Sequence, residues 1–308
     1  MTPTLLWLGF ALIVIVMLAL DLGIFHRRTH TPRLKESIWW SIFWTVLALA
    51  FNVGIYLWSG SRPAMQFLTA YVVERSLSMD NIFVFLLIFT YFKVASDVQY
   101  KVLFWGIIGA LVMRALFIAA GVALINRFHW IIYVFGLFLI YTGVRMAMEK
   151  DKEIHVEKNP LIRFYRRFLP VLRRYVGHQF FIRRRGMLIA TPLFIVLLVI
   201  ESMDIVFAVD SIPAVLGITQ NAFIVYTSNV FAILGLRAFY FVLAGITQIF
   251  RDLHYGLALI LVVVGAKMML SYFIEIPAGI MLGLIALILL VSILVSVHRS
   301  HRLKDRSA

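Results

Sequence analysis

An all-α polytopic membrane protein of about nine transmembrane helices, six of them forming two inverted three-helix repeats, is the fold class that three features predict. Apolar segments of about 20 residues, the length that crosses a bilayer as helix, use nearly the whole chain. Lysines and arginines fall almost entirely on alternate loops. The tripeptide Ser78-Met79-Asp80 returns as Ser202-Met203-Asp204, each copy inside an apolar segment.

Composition sets the solvent. Over 308 residues 62% are hydrophobic, 14% are charged and the mean hydropathy is +0.94. A soluble domain is about 45 to 50% apolar, so this surplus has no ordinary core to enter. The segments run Leu5 to Ile24, Ile38 to Trp58, Ala64 to Thr90, Val102 to Leu124, Ile131 to Met148, Met187 to Ile212, Ala222 to Ile246, Tyr255 to Phe273 and Ala278 to Val297. The first has no basic stretch before it and is followed at once by His26-Arg27-Arg28, which favours a retained helix beginning near Met1 over a cleaved signal peptide. The chain contains no cysteine, so a metal would be held by oxygen, imidazole or thioether.

Basic loops stay cytoplasmic. One set holds Arg27, Arg28, Arg33, Lys35, Lys93, Lys101, the run from Lys150 to Arg185, Arg251, Arg299, Arg302, Lys304 and Arg306; the other holds only Arg62 and Arg127. With nine spans, the N-terminus lies outside and the C-terminus in the cytoplasm. The net charge of +14 then reflects topology and attraction to anionic lipid headgroups rather than nucleic-acid binding. Aromatics and arginines interleave from Leu161 to Arg185, which suits a helix lying in the interface and contacting anionic lipids.

The repeat extends beyond the shared tripeptide. A shift of 124 also pairs Phe83 with Phe207 and Ala120-Gly121 with Ala244-Gly245, 123 pairs Arg114-Ala115 with Arg237-Ala238, and 122 pairs Gly143 with Gly265 and Met146 with Met268. Spans three to five thus repeat as spans six to eight, and an odd number of helices per unit inverts the second copy. The chain divides into two N-terminal helices (1–63), the first repeat (64–148), a basic cytoplasmic loop (149–186), the second repeat (187–273) and a last helix with a basic tail (274–308).

Inverted repeats with ligands near the midplane suit secondary transport by alternating access. Carboxylates inside spans are costly and mark ion or proton pathways. The candidate metal ligands are Glu74, Asp80, Glu201, Asp204 and Asp210, with Asp21, Ser78, Asn81, Ser202 and Asn229 as auxiliary oxygens. Such oxygen-rich sites suit magnesium, calcium or manganese. Glu201 and Asp204 share a helix face, whereas Glu74 with Asp80 and Asp204 with Asp210 are six apart and converge only on a broken helix, which Pro213 makes plausible. Arg75, Arg114, Arg237 and Lys267 are charge-balancing residues. Crowded carboxylates raise one another's proton affinity, so protons are the candidate coupling ion for cation/proton antiport.

The strings E-R-S-L-S-M-D-N (Glu74 to Asn81), E-S-M-D-I-V-F-A-V-D-S-I-P-A (Glu201 to Ala214) and D-L-G-I-F at Asp21 resemble the signatures of the TerC family, especially its Alx-type members. The resemblance implies a bacterial inner-membrane protein that exports Mn2+, with a family association to metal homeostasis and tellurium resistance. The family's functional acids fall on Glu74, Asp80, Glu201, Asp204 and Asp210. The expectation is a transporter rather than an enzyme, with no prosthetic group and Mn2+ as its transported ligand. Two alternatives differ in class: an intramembrane aspartyl protease, which lacks its G-x-G-D string here, and a membrane scaffold that helps other proteins insert or acquire metal.

Overall fold

A computed structural model describes residues 3–25, 34–148, 172, 175–184, 187–246, 253–270 and 276–305. Ten helices account for most of these: α1 (Pro3–Phe25), α2 (Leu34–Ser59), α3 (Ser61–Tyr91), α4 (Ser96–Arg127), α5 (Ile131–Met148), α6 (Pro192–Leu216), α7 (Ala222–Leu234), α8 (Leu236–Ile246), α9 (Leu253–Leu270) and α10 (Ala278–Asp305). Among the described residues five helices, α2, α4, α5, α6 and α10, are long and apolar enough to cross a membrane, and the pair α7–α8, bent by 41°, makes a sixth. At 31 residues α3 has ample length, but it carries Arg62, Glu74, Arg75 and Asp80. The apolar parts of α1 and α9, Thr4–Ala19 and Tyr255–Leu270, are shorter.

The chain is not wholly helical. Strands β1 (Phe181–Arg184) and β2 (Met187–Ala190) pair antiparallel, with Phe181 opposite Ala190 and Arg184 opposite Met187. The sixth apolar segment therefore begins as a strand at Met187, and α6 starts only at Pro192, whose fixed φ suits a first helical turn. The end of the expected interfacial helix is strand β1 instead; residues 161–171 lie outside the described residues. A four-residue strand satisfies its backbone by pairing, which β-branched and aromatic residues favour over a lone helical turn. The segment just before the hairpin is tied to α4 and to the end of α3: Lys101 Nζ donates to the His178 carbonyl at 2.7 Å, and the Tyr175 hydroxyl to the Phe92 carbonyl at 2.7 Å.

α3 is the hub of the bundle, packing on α2, α6, α7 and α10. α4 lies along α6 much as α3 lies along α7, and α5 makes the most extensive helix pairing of all with α9. In lipid the hydrophobic effect does not drive helices together, so close packing of small residues carries more of the load. At the α5–α9 crossing, a Cβ on Gly143 would sit 2.6 Å from the Ala258 carbonyl oxygen, and one on Gly265 would sit 2.6 Å from that of Gly136. The small-residue pair of the last apolar segment behaves differently: a Cβ on Gly279 would meet only Met65 among the described residues, and one on Gly283 would have nothing within 4 Å. Around the bundle, Trp39, Leu57 and Leu8 are among many large apolar side chains left exposed, as a lipid-facing surface requires.

Gly265→Ala pushes a methyl into the α5 backbone, against the Gly136 carbonyl oxygen and the Ile140 nitrogen, so it should lower stability by about 1 to 3 kcal/mol, while Gly283→Ala should leave it unchanged. Thermal unfolding of the two purified variants in one detergent checks this; equal midpoints would remove the close-crossing account.

Candidate functional site

The polar centre is built on Arg114, in the middle of α4 and only 1% exposed. Its guanidinium takes Asp204 of α6 side-on: Nε donates to Oδ2 at 3.2 Å and Nη2 to Oδ1 at 3.1 Å. Nη1 donates to Glu74 Oε1 of α3 and, at 3.4 Å, to Ser211 Oγ of α6. Ser211 lies seven residues beyond Asp204, two helical turns along the same face of α6, which is why both reach one guanidinium. Two carboxylates against one buried cation leave the cluster with net negative charge inside an apolar bundle, a costly arrangement.

The remaining acids are distributed around this centre. Glu201, half-buried and one turn before Asp204, lays its carboxylate against α4, where it fills the space that a side chain on Gly109 would need. No hydrogen bond or ion pair joins Glu201 to another described residue. Both α3 and α6 run without a break, so residues six apart point to different faces, and half-buried Asp210 does not share the Asp204 face. Pro213 sits inside α6 without interrupting it. Asp21 and Asp80 belong to α1 and α3; their side chains lie outside the described residues.

The basic residues have separate tasks. Arg75 turns away from its neighbour Glu74 toward α2 and α7, where Nη1 donates to the Ala232 carbonyl at 3.1 Å and Nη2 to Ser41 Oγ at 3.1 Å. Ala232 O is the acceptor that a continuous helix would offer to the Leu236 N–H. The bend between α7 and α8 occurs there, so an inserted side chain is its cause. Gly235 makes room, since a Cβ on it would lie 2.5 Å from Arg75 Nη1. The guanidinium also covers the Phe239 ring, 4.5 Å from its centroid. Lys267 of α9 caps the end of α6, donating to the Gly217 carbonyl at 2.8 Å, a favourable place for a cation at a helix C-terminus. Arg237 on α8 is buried with its guanidinium 4.1 Å over the Tyr100 ring. Neither Ser211 as a partner of Arg114 nor Arg75 as the wedge at Gly235 was read from sequence; the only signals were the seven-residue spacing and a glycine inside an apolar span.

Among the auxiliary oxygens, Ser202 donates back to the Leu198 carbonyl of its own helix at 2.6 Å, and Asn81 is buried. Glu74 Oε2, Ser78 Oγ and both amide atoms of Asn229 are buried with no hydrogen-bond partner among the described residues. Glu74 and Ser78 are one turn apart on α3, and Asn229 belongs to α7, which packs on α3. Buried polar atoms are nearly always paired, so orphaned ones in a bundle interior call for a partner such as water or an ion. Oxygen donors to a hard cation are thus present in Glu74, Asp204, Ser211, Ser78 and Asn229. No three Asp, Glu or His side chains gather as a metal-ligand set among the described residues.

A family model for the integral membrane protein TerC family matches residues 59–305. The chain belongs to that family. It is 48% identical over 96% of its length to "Uncharacterized membrane protein STKORF319" of Myxococcus xanthus, covering 92% of that protein. It is 44% identical over 98% of its length to "Putative membrane-bound redox modulator Alx" of Salmonella typhi, covering 96% of that protein, and 43% identical over 98% to the protein of the same name from Escherichia coli K12, also covering 96%. No solved structure matches. Membership in this family, together with the apolar helices, makes the chain a multi-pass protein of a bacterial membrane.

If Arg75 wedges the α7–α8 bend, Arg75→Ala should cost about 1 to 3 kcal/mol, because the Ala232 carbonyl loses its donor in an apolar setting. Gly235→Ala should cost a similar amount alone but almost nothing on top of Arg75→Ala. A double-mutant cycle on thermal stability tests the coupling; strictly additive losses would show that the two residues act independently.

Proposed function

We propose that the chain is a secondary transporter, not an enzyme, that exports divalent cations, Mn2+ foremost, across the bacterial inner membrane. The observation that carries this reading is the buried cluster of Glu74 and Asp204 on Arg114, with Glu74 Oε2, Ser78 Oγ and the Asn229 amide left unpartnered in the same bundle. These are hard oxygens in hydrocarbon, the chemistry that manganese, magnesium and calcium share. Manganese is favoured through the family resemblance. The transported ion is substrate; no prosthetic group is part of the mechanism.

The architectural part of the proposal is nine spans with two inverted repeats, α3–α5 and α6–α9, N-terminus outside and C-terminus in the cytoplasm. Helix packing supports it. Exchanging the repeats turns the α3–α7 pairing into the α6–α4 pairing, and both are prominent. A shift of 122 carries Gly136 to Ala258 and Gly143 to Gly265, so the close contact of Gly143 with Ala258 is the symmetry mate of that between Gly265 and Gly136. An approximate two-fold axis through the α5–α9 crossing accounts for both. The residues just before the hairpin dock beside the α3–α4 turn, which fits the placement of both segments on one side of the membrane.

In transport, Glu74, Asp204 and Asp80 receive the ion near the midplane, with Glu201 and Asp210 completing its path. Alternating exposure of this centre to the two sides moves the ion. Protons are the proposed exchange partner: carboxylates released by the metal take them up from the outer side and carry them inward. Anionic lipids contact the basic loop 149–186. The redox name of the relatives fits indirectly, since changing the cellular manganese pool alters redox chemistry without a thiol couple, for which this chain has no cysteine.

Asp80→Asn and Asp204→Asn should each abolish Mn2+ uptake into everted vesicles while the protein remains folded, and competing divalent ions should rank the selectivity. Collapsing an imposed pH gradient should slow wild-type uptake. Wild-type flux in both variants would sink the midplane site. Flux that ignores the gradient would replace antiport by facilitated diffusion.

A further inference from the structure

We infer that Arg114 is an internal competitor for the transported cation: its guanidinium occupies the oxygens that the ion takes, and ion binding requires the side chain to leave them. The inference rests on the metal-transport reading above and assigns its site a regulator.

Three features carry it. Arg114 satisfies Asp204, Glu74 and Ser211 at once, three oxygen-bearing side chains from two helices that a hard cation would use. Nε and Nη2 hold both Asp204 oxygens by one edge, so a divalent ion can chelate Asp204 by that edge only when the guanidinium leaves it. The second feature is charge. One positive charge against Glu74 and Asp204 leaves the cluster negative, so exchanging Arg114 for a divalent ion improves the balance and the displacement has a driving force.

The third feature is a second seat. Glu201 lies against α4 at Gly109 and stands one turn before Asp204 on the same face of α6, so it is the neighbouring carboxylate to the one that Arg114 now holds. In the proposed exchange the metal takes Glu74 and Asp204 while Arg114 moves to Glu201, so all three carboxylates have a cation beside them once the ion is bound. No covalent step is involved. The protein then resists collapse of the site when no ion is bound, and each half-cycle exchanges one cation for another.

The test is Mn2+ binding to purified wild type, Arg114→Gln and Arg114→Lys in alkaline buffer, read by calorimetry and by the Mn2+-induced rise in unfolding temperature. Removing the competitor should tighten binding about 10-fold in Arg114→Gln, with Arg114→Lys between it and wild type. Mn2+ should also raise the unfolding temperature of Arg114→Gln by more degrees than that of wild type, because only the metal can then compensate the buried acids. This readout applies even when the glutamine variant folds only with metal present. Glu201→Gln, which removes the second seat, should weaken binding by a larger factor in wild type than in the Arg114→Gln background. Binding that is equal or weaker in both Arg114 variants would overturn the inference while leaving the metal site standing. Absence of Mn2+ binding in wild type and in every variant would overturn the transport reading, and this inference with it.

Discussion

Everything around the centre of this bundle follows from one constraint: Glu74, Asp204 and Arg114 are buried in hydrocarbon and have to compensate one another. Leaving any one of them alone costs about 3 to 5 kcal/mol in a protein interior. Three helices must therefore meet at a fixed height, with α4 bringing its arginine between the acids of α3 and α6. Gly109 lets the Glu201 side of α6 come close to α4, and the side-on fork at Asp204 sets the rotation of both helices. The glycine contacts hold α5 against α9 by close packing of backbone on backbone.

The overall class was legible because membrane residence leaves a length and hydropathy record that no tertiary detail can erase. The individual charged residues were legible for the same reason: a carboxylate such as Asp204 or Glu74 is conspicuous in an apolar run. Their pairing was not. Arg114 is 40 residues from Glu74 and 90 from Asp204, and helix rotation decides whether such residues meet. Sequence adjacency pointed to Arg75 for Glu74, yet adjacent residues on a helix diverge by about 100°, so Arg75 serves α2 and α7 while Glu74 turns to α4.

Two local departures have equally definite causes. The apolar count from Met187 to Ala190 suits a helix or a strand alike, and a neighbouring segment able to pair decided for the strand. Proline at 213 drew attention as a breaker, but it falls in the last turn of α6, near an end whose Gly217 and Ile218 carbonyls are capped by Lys267. The actual bend, at Gly235, needs two things that no local window contains together: a residue without a side chain and an arginine from α3 to replace the lost backbone donor.

That bend also separates the two halves. On the two-repeat reading, the register that matches Arg114 with Arg237 places Val112 opposite Gly235, and the one that matches Asp80 with Asp204 places Val199 opposite Arg75. Neither the wedge nor the glycine has a counterpart, and α4 runs unbroken from Ser96 to Arg127 where its partner is divided into α7 and α8. A transporter of inverted repeats works by letting its halves exchange conformations, so an equilibrium between outward and inward states is balanced only if their sequences bias it equally. A wedge held by two hydrogen bonds and a stacked Phe239 ring on one side alone removes that equality. The energy of those contacts sets a resting preference, and a cation arriving at Asp204 has to work against it or with it. On the proposed cycle Arg75 and Gly235 bias which state is populated at rest, while the metal and proton gradients set the direction of net flux.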